Sequence, residues 1–139
     1  MLMKLILAAG LLSVCVVIHA AVLTFVFRRV GPLPPVEGDP SWRVILRLIR
    51  IAFWLIFAHL LEIAVWAVFY ATFRVFPDTE ASFYFSAVTY TTVGYGDLVP
   101  PQQWRLLAGV EGLTGILMCG WSTGFFFAVV GQLHWGEKR

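Results

Sequence analysis

The sequence predicts an all-α membrane protein with three transmembrane helices and one shorter helix that enters the membrane without crossing it. Of the 139 residues, 60% are hydrophobic and 13% are charged, whereas a soluble domain carries about 25% charged residues. Three apolar stretches exceed the roughly 20 residues that a helix needs to cross the hydrocarbon core. A fourth stretch of helical character, residues 81–91, is too short to span the membrane. Irregular backbone that follows such a helix within the membrane must be surrounded by protein or by a water-filled cavity.

The first apolar stretch, residues 5–27, predicts a transmembrane helix within an N-terminal unit of residues 1–28. A cleaved signal peptide is the alternative, because Lys4 precedes the apolar run. A retained helix is favoured, since no good small-x-small cleavage site follows and cleavage would reverse the orientation of the remaining chain.

Residues 29–50 predict a cytoplasmic linker followed by an amphipathic helix that lies in the membrane interface. Prolines and glycines make residues 30–40 irregular, and Asp39 with Pro40 resembles a helix start. The helix then carries a basic face that either binds anionic membrane lipid and fixes the topology or forms a sliding cuff coupled to gating. We favour the lipid interpretation. The basic residues of this face are Arg43, Arg47 and Arg50.

The distribution of Lys and Arg predicts the orientation. Of the ten basic residues, five lie between the first two apolar spans and two in the short tail at residues 134–139. The positive-inside rule places both regions in the cytoplasm. The N-terminus and the segment between the second and third spans are then outside, in a multi-pass protein of the plasma (inner) membrane.

Residues 51–133 form the last predicted unit, which holds the second span, the short helix, a glycine-rich heptad and the third span. The heptad, residues 91–97, reads Thr-Thr-Val-Gly-Tyr-Gly-Asp. Gly94 and Gly96 allow backbone conformations in which successive carbonyls point in unusual directions. Carbonyls that face a pore can replace the water shell of a potassium ion. A hairpin turn is the alternative, but nothing nearby alternates like a strand.

Residues 92–96 match the Thr-Val-Gly-Tyr-Gly filter, and residues 51–131 resemble the pore family of potassium channels. The closest type is a small prokaryotic tetrameric channel with two pore-forming helices plus an extra N-terminal one. The resemblance implies a homotetramer that conducts K⁺ passively, with no cofactor other than the permeant ion. The implied K⁺ ligands are carbonyls of Thr92, Val93, Gly94 and Tyr95, with Gly96 completing the selectivity filter.

The resemblance also implies which residues support the filter. Some family members carry a Glu at the position of Val88, paired with the Asp after the filter, so Asp97 needs another donor and Tyr84 is a candidate. Trp is common where Phe85 stands, so we expect the cuff around Tyr95 to rest on packing.

Two further expectations concern the short helix and the third span. The short helix ends near Thr91 and would direct its partial negative charge at the cavity, which favours a cation. Family members bend the inner helix at a glycine, and Gly115 is nearest to that place. Close helix packing is the alternative for these glycines, and Gly120 and Gly124 have the small-xxx-small spacing.

Three ionisable residues within the spans are expected to form a hydrogen-bonded cluster behind the filter: His59, Glu62 and Glu111. The cluster would be either a pH sensor or a structural clamp. A zinc site is disfavoured because no third ligand is evident beside the His-x-x-Glu pair. Cys15 and Cys119 lie in apolar stretches and are expected to be buried thiols.

Several classes of function are disfavoured by the sequence. A net charge of +2 gives no argument for nucleic acid, and no nucleophile–base constellation points to an enzyme. A non-conducting regulatory subunit would carry a disrupted filter motif, whereas this one is intact. A subunit of an ion transporter would carry several diverged filter-like repeats, and no repeat is visible here. No span carries Arg at every third position, as a voltage sensor would. The gating stimulus stays open.

Overall fold

The computed structural model describes residues 2–30 and 41–135, which form four α-helices. In chain order they are α1 (Leu2–Val30), α2 (Ser41–Thr72), α3 (Thr79–Tyr90) and α4 (Arg105–Trp135). Helices α1, α2 and α4 are long and apolar enough to cross a membrane. Helix α3 has 12 residues, about 18 Å at 1.5 Å per residue, and is too short. The predicted all-α membrane fold with three spans is confirmed.

Helix α2 differs from the expectation of a separate interfacial helix before the second span. It runs for 32 residues without interruption, about 48 Å, because no Gly or Pro occurs between residues 41 and 72. Since the hydrocarbon core is about 30 Å thick, the basic turns before Ile51 extend the spanning helix past the membrane. The interfacial segment expected at residues 41–50 is therefore the first part of α2 and not a helix of its own. The predicted helix start at Asp39 and Pro40 and the tail at 136–139 lie outside the described residues.

Helix α1 is packed into the bundle. Leu23 and Val26 join Ile51, Leu55 and Val129 in one apolar cluster, so α1 contacts both α2 and α4. Farther along α1, Cys15 and His19 are fully buried. Cys119 is exposed, in contrast to the expectation of two buried thiols, because it faces away from the packed side of α4.

Helix α3 lies between α2 and α4. Asp78 is its N-cap, and its Oδ1 accepts a hydrogen bond from the Ala81 N–H at 2.7 Å. The helix therefore begins two residues before the predicted stretch at 81–91. Its buried residues are Ser82, Phe85, Ser86 and Tyr90.

Helix α4 is one continuous helix that meets the end of α3 at Gly115. A Cβ placed on Gly115 would overlap the Tyr90 backbone, with the carbonyl carbon at 2.8 Å. A Cβ on Gly120 or Gly124 would meet nothing within 4 Å, so the small-residue contact expected there does not occur within the chain. Gly115 has a packing role, and its role as a hinge stays a prediction.

Candidate functional site

The candidate filter, residues 92–96, has an alternating backbone. Thr92, Gly94 and Gly96 have φ angles of 62°, 50° and 77°, whereas Val93 and Tyr95 do not have positive φ. The left-handed region is uncommon for a residue other than glycine, and such residues concentrate where function requires strain. With left-handed backbone at every second residue, successive carbonyls can turn to one side instead of alternating as in a strand.

Hydrogen bonds anchor the start of the candidate filter to the last turn of α3. The Gly94 N–H donates to the Val88 carbonyl at 3.0 Å, and the Thr92 N–H donates to the Thr89 carbonyl at 3.0 Å. Thr91 is the C-cap of α3, and its hydroxyl donates to the Ala87 carbonyl at 2.7 Å. Val88 thus contacts the filter through its backbone.

The side chains of the candidate filter are mostly uncovered within one chain. Val93 is 52% exposed and Tyr95 is 72% exposed. The single chain therefore leaves both side chains open to their surroundings.

Asp97, directly after the candidate filter, is held by Tyr84. The Tyr84 hydroxyl donates to Asp97 Oδ2 at 2.6 Å, and the Leu98 N–H donates to Oδ1 at 3.0 Å. The hydroxyl lowers the pKa of Asp97, and in turn the carboxylate raises the pKa of Tyr84. Tyr84 is the donor that the sequence suggested for this carboxylate.

Phe85 packs elsewhere than expected. It is buried, and its ring centroid lies 5.3 Å from that of Tyr70 and 4.6 Å from that of Phe76. Residues three apart share a helix face, so Phe85 lies on the same side of α3 as Ser82, which is also buried. It therefore packs α3 against α2 and Phe76, and the cuff expected around Tyr95 stays a prediction.

Behind the candidate filter, five side chains form a closed set of contacts, here called the buried ring. Every helix contributes to it: His19 from α1, His59 and Glu62 from α2, Tyr90 from α3 and Ser122 from α4.

Glu62 connects two of the helices in the buried ring. Its Oε1 lies 2.8 Å from His19 Nδ1, where both side chains are fully buried. Its Oε2 accepts a hydrogen bond from the Tyr90 hydroxyl.

His59 and Ser122 close the buried ring. His59 Nδ1 lies 3.0 Å from the Tyr90 hydroxyl, and its Nε2 lies 3.0 Å from Ser122 Oγ. Ser122 Oγ is also 3.1 Å from His19 Nε2. The His59 side chain is 19% exposed, so it is the member of the ring that reaches the surroundings.

Glu111 does not belong to the buried ring, so the expectation of one cluster with His59 and Glu62 was wrong. Glu111 accepts from the Tyr70 hydroxyl at 2.8 Å and contacts Ser86 Oγ at 2.5 Å. Ser86 precedes Tyr90 by four residues in α3, about 6 Å along the helix. This offset separates the two carboxyl groups.

His19 was not among the residues expected in the cluster. A histidine within an apolar span is costly and indicates a polar partner, and this reasoning, which identified His59, applies equally to His19. Donor atoms of His19, His59 and Glu62 lie within 4.8 Å of one another, so a third candidate metal ligand exists after all. However, each of these atoms already has a hydrogen-bond partner, and 2.8 Å between His19 and Glu62 is a hydrogen-bond distance. In this structure the three side chains are therefore joined by hydrogen bonds.

A comparison with protein families identifies the family of the chain. A family model described as an ion channel matches residues 51–132, more than half of the chain. The match covers α2 from Ile51, then α3, the candidate filter and most of α4, and it leaves α1 outside. No curated protein and no solved structure matches the chain.

Proposed function

Because the chain belongs to the ion-channel family that matches residues 51–132, we propose that it is a potassium-selective channel. The activity is passive K⁺ conduction through the carbonyls of Thr92, Val93, Gly94 and Tyr95, with Gly96 completing the filter. Conduction through such a filter requires no catalysis.

The observation that carries this proposal is the alternating backbone of the candidate filter. Positive φ at Thr92, Gly94 and Gly96 supports a row of carbonyls on one side, which can replace the hydration shell of an ion. The anchoring of Gly94 to Val88 at 3.0 Å supports a fixed position for that row at the end of α3. The helix C-terminus there adds a partial negative charge that favours a cation.

The proposed assembly is a homotetramer. A single row of carbonyls cannot surround an ion, whereas four copies around a closed axis give rings of four ligands. The exposure of Val93 and Tyr95, 52% and 72%, supports this assembly, because neighbouring chains would cover apolar surface that the single chain leaves open. Native mass spectrometry of the purified protein would test the number of copies.

The decisive experiment is bilayer recording of the reconstituted protein with K⁺ on one side and Na⁺ on the other. We expect the reversal potential to follow the K⁺ gradient. Gly94→Ala and Gly96→Ala should lose the current, because an L-residue at φ of 50° or 77° is strained. Gly109→Ala is the matched control, since a Cβ there meets nothing within 4 Å. A reversal potential that follows Na⁺ would contradict the proposal.

The proposed orientation has the N-terminus outside and the C-terminus in the cytoplasm of a plasma (inner) membrane. Arg29, Arg47 and Arg50 line a cavity of about 100 Å³ between α1 and α2, which supports an anionic lipid headgroup at this end. Arg43 instead lies over the Trp42 ring at 5.4 Å. We expect vesicles with anionic lipid to stabilise the wild type more than Arg50→Ala, and Arg43→Ala should behave as the wild type.

A further inference from the structure

The buried ring contains more contacts than its side chains have protons. Its five hydrogen bonds each need one proton between two heavy atoms. A longer approach of His59 Nδ1 to Glu62 Oε2, at 3.4 Å, crosses the ring and is not counted as one of them. Two neutral imidazoles, one phenol and one serine hydroxyl supply four protons, and an ionised carboxylate supplies none. This count is the same for either tautomer of each histidine.

We propose that the buried ring is a binding site for one additional proton, taken up from water and shared by all four helices. When the proton lies on Glu62, every member donates once and accepts once. The direction is then Glu62 to His19, His19 to Ser122, Ser122 to His59, His59 to Tyr90 and Tyr90 back to Glu62. Moving the proton from Glu62 to His19 gives an ion pair with the same five contacts.

The electrostatic environment favours the five-proton form. With five protons the ring is neutral overall, whereas with four it carries one negative charge inside a membrane span, which is costly. Hydrogen bonds that run in one direction also polarise and strengthen one another. The other titratable groups that interact electrostatically with the ring are Cys15 of α1 and Cys119 of α4. Glu111 interacts electrostatically with Cys15. None of these groups supplies a positive charge.

The position of the ring gives the proton a structural consequence. Tyr90 is the last residue of α3, two positions before Thr92, and His19 belongs to α1. Loss of the proton leaves one of the five contacts without a hydrogen and so weakens the connection between α1 and the base of the candidate filter. This inference concerns proton binding by the fold and stands whether or not the pore selects potassium.

Glu62→Gln separates the proposal from a purely structural ring. The amide can donate to His19 and accept from Tyr90, so all five contacts form without a titrating proton. Above about pH 7 the unfolded chain has ionised Glu and neutral His, so the wild-type folded state binds one more proton than the unfolded state. Its stability must therefore fall as the pH rises.

The measurement is the unfolding equilibrium of the full-length assembly between about pH 7 and about pH 9. Relative to Glu62→Gln, the wild type should shift toward the unfolded state by about tenfold per pH unit and per chain. Glu111 is present in both proteins, so its contribution cancels. Ser122→Thr keeps the hydroxyl and should retain the wild-type slope. Parallel pH slopes for the wild type and Glu62→Gln would overturn the proposal.

Ser122→Ala provides a second test that does not depend on the assembly of the Glu62 variant. The substitution leaves three contacts, and the protons of His19, His59 and Tyr90 are enough to form a hydrogen bond in each of them. Its stability should therefore depend less steeply on pH than that of the wild type and of Ser122→Thr. Equal slopes in Ser122→Ala and Ser122→Thr would also overturn the proposal.

Discussion

The two buried carboxyl groups of the bundle have similar surroundings but connect different parts of it. Both Glu62 and Glu111 are fully buried, and each accepts a hydrogen bond from a tyrosine hydroxyl. The partners of Glu111 belong to α2 and α3, within the segment that matches the channel family. Glu62 also contacts His19 of α1, which lies outside that segment. The additional helix is therefore connected to the family core through polar contacts as well as apolar packing.

The two carboxyl groups also contact α3 at different positions along its length. Glu111 contacts Ser86 in the body of the helix, whereas Glu62 contacts Tyr90 at its end, next to the candidate filter. We conclude that Glu111 holds α3 between α2 and α4. Glu62 holds the end of α3 next to the candidate filter and joins it to α1.

The largest effect is expected for Glu62→Ala. Removing one partner of a buried charged pair costs about 3–5 kcal/mol, and here both His19 Nδ1 and the Tyr90 hydroxyl lose the carboxylate that they contact. The free energy of unfolding in lipid micelles should fall by this amount. Glu62→Gln keeps the contacts and serves as the control. If the two substitutions destabilise equally, the hydrogen bonds of Glu62 do not hold the ring together.

Gly115→Ala is expected to have the next largest effect. A Cβ would overlap the Tyr90 backbone, and a backbone atom cannot move aside as a flexible side chain can. Overpacking costs about 1–3 kcal/mol and occasionally more, and we expect about 3 kcal/mol in the same unfolding measurement. Gly112→Ala is the matched control, because its Cβ would lie 3.6 Å from the Thr89 carbonyl oxygen. A variant with altered gating but unchanged stability would favour the hinge and contradict the packing role.

Glu111→Ala is expected to destabilise the protein less than Glu62→Ala. It leaves the Tyr70 hydroxyl without its acceptor, while Ser86 keeps its bond to the Ile63 carbonyl at 2.9 Å. One unsatisfied buried donor costs about 1–3 kcal/mol, and we expect about 2 kcal/mol. Glu111→Gln retains an acceptor and is the control.

The same pair of alanine variants tests which carboxyl group connects α1. In a Cys119→Ser background, Cys15 of α1 is the remaining thiol, and it is fully buried. Glu62→Ala should accelerate its labelling by a maleimide, whereas Glu111→Ala should leave it protected. Equal labelling in both variants would show that α1 does not depend on the ring.

The spans, the short helix and the candidate filter could be predicted from the sequence because each depends on local composition. Apolar length alone identifies α1, α2 and α4, and the glycine spacing marks the segment whose backbone alternates. The ring could not be predicted, since contacts among four helices depend on how each helix is rotated. Ser122 and Tyr90 carry no signal of their own, and Glu111 was misplaced because equal depth in the membrane does not imply a shared helix face.

The same reasoning explains the errors in the first half of the chain. Three arginines on one face suggested a helix lying on the membrane, but a face with that spacing is equally compatible with the end of a spanning helix. The continuity of α2 through Arg50 and Ile51 follows from the absence of a helix breaker. That absence is visible in the sequence and outweighs the amphipathic pattern.

The smallest effect is expected for Tyr84→Phe, which tests a carboxylate outside the membrane core. The Tyr84 hydroxyl lowers the pKa of Asp97 below its ordinary value of 3.8, so this contact stabilises the fold above that value and is lost as the pH falls through the lowered pKa. Wild type and Tyr84→Phe should therefore differ in stability near about pH 7, and the difference should shrink steadily as the pH falls below 3.8. Adding Asp97→Asn to Tyr84→Phe should change nothing further. A difference that keeps its full size at low pH would mean that the hydroxyl acts through packing and not through the charge of Asp97.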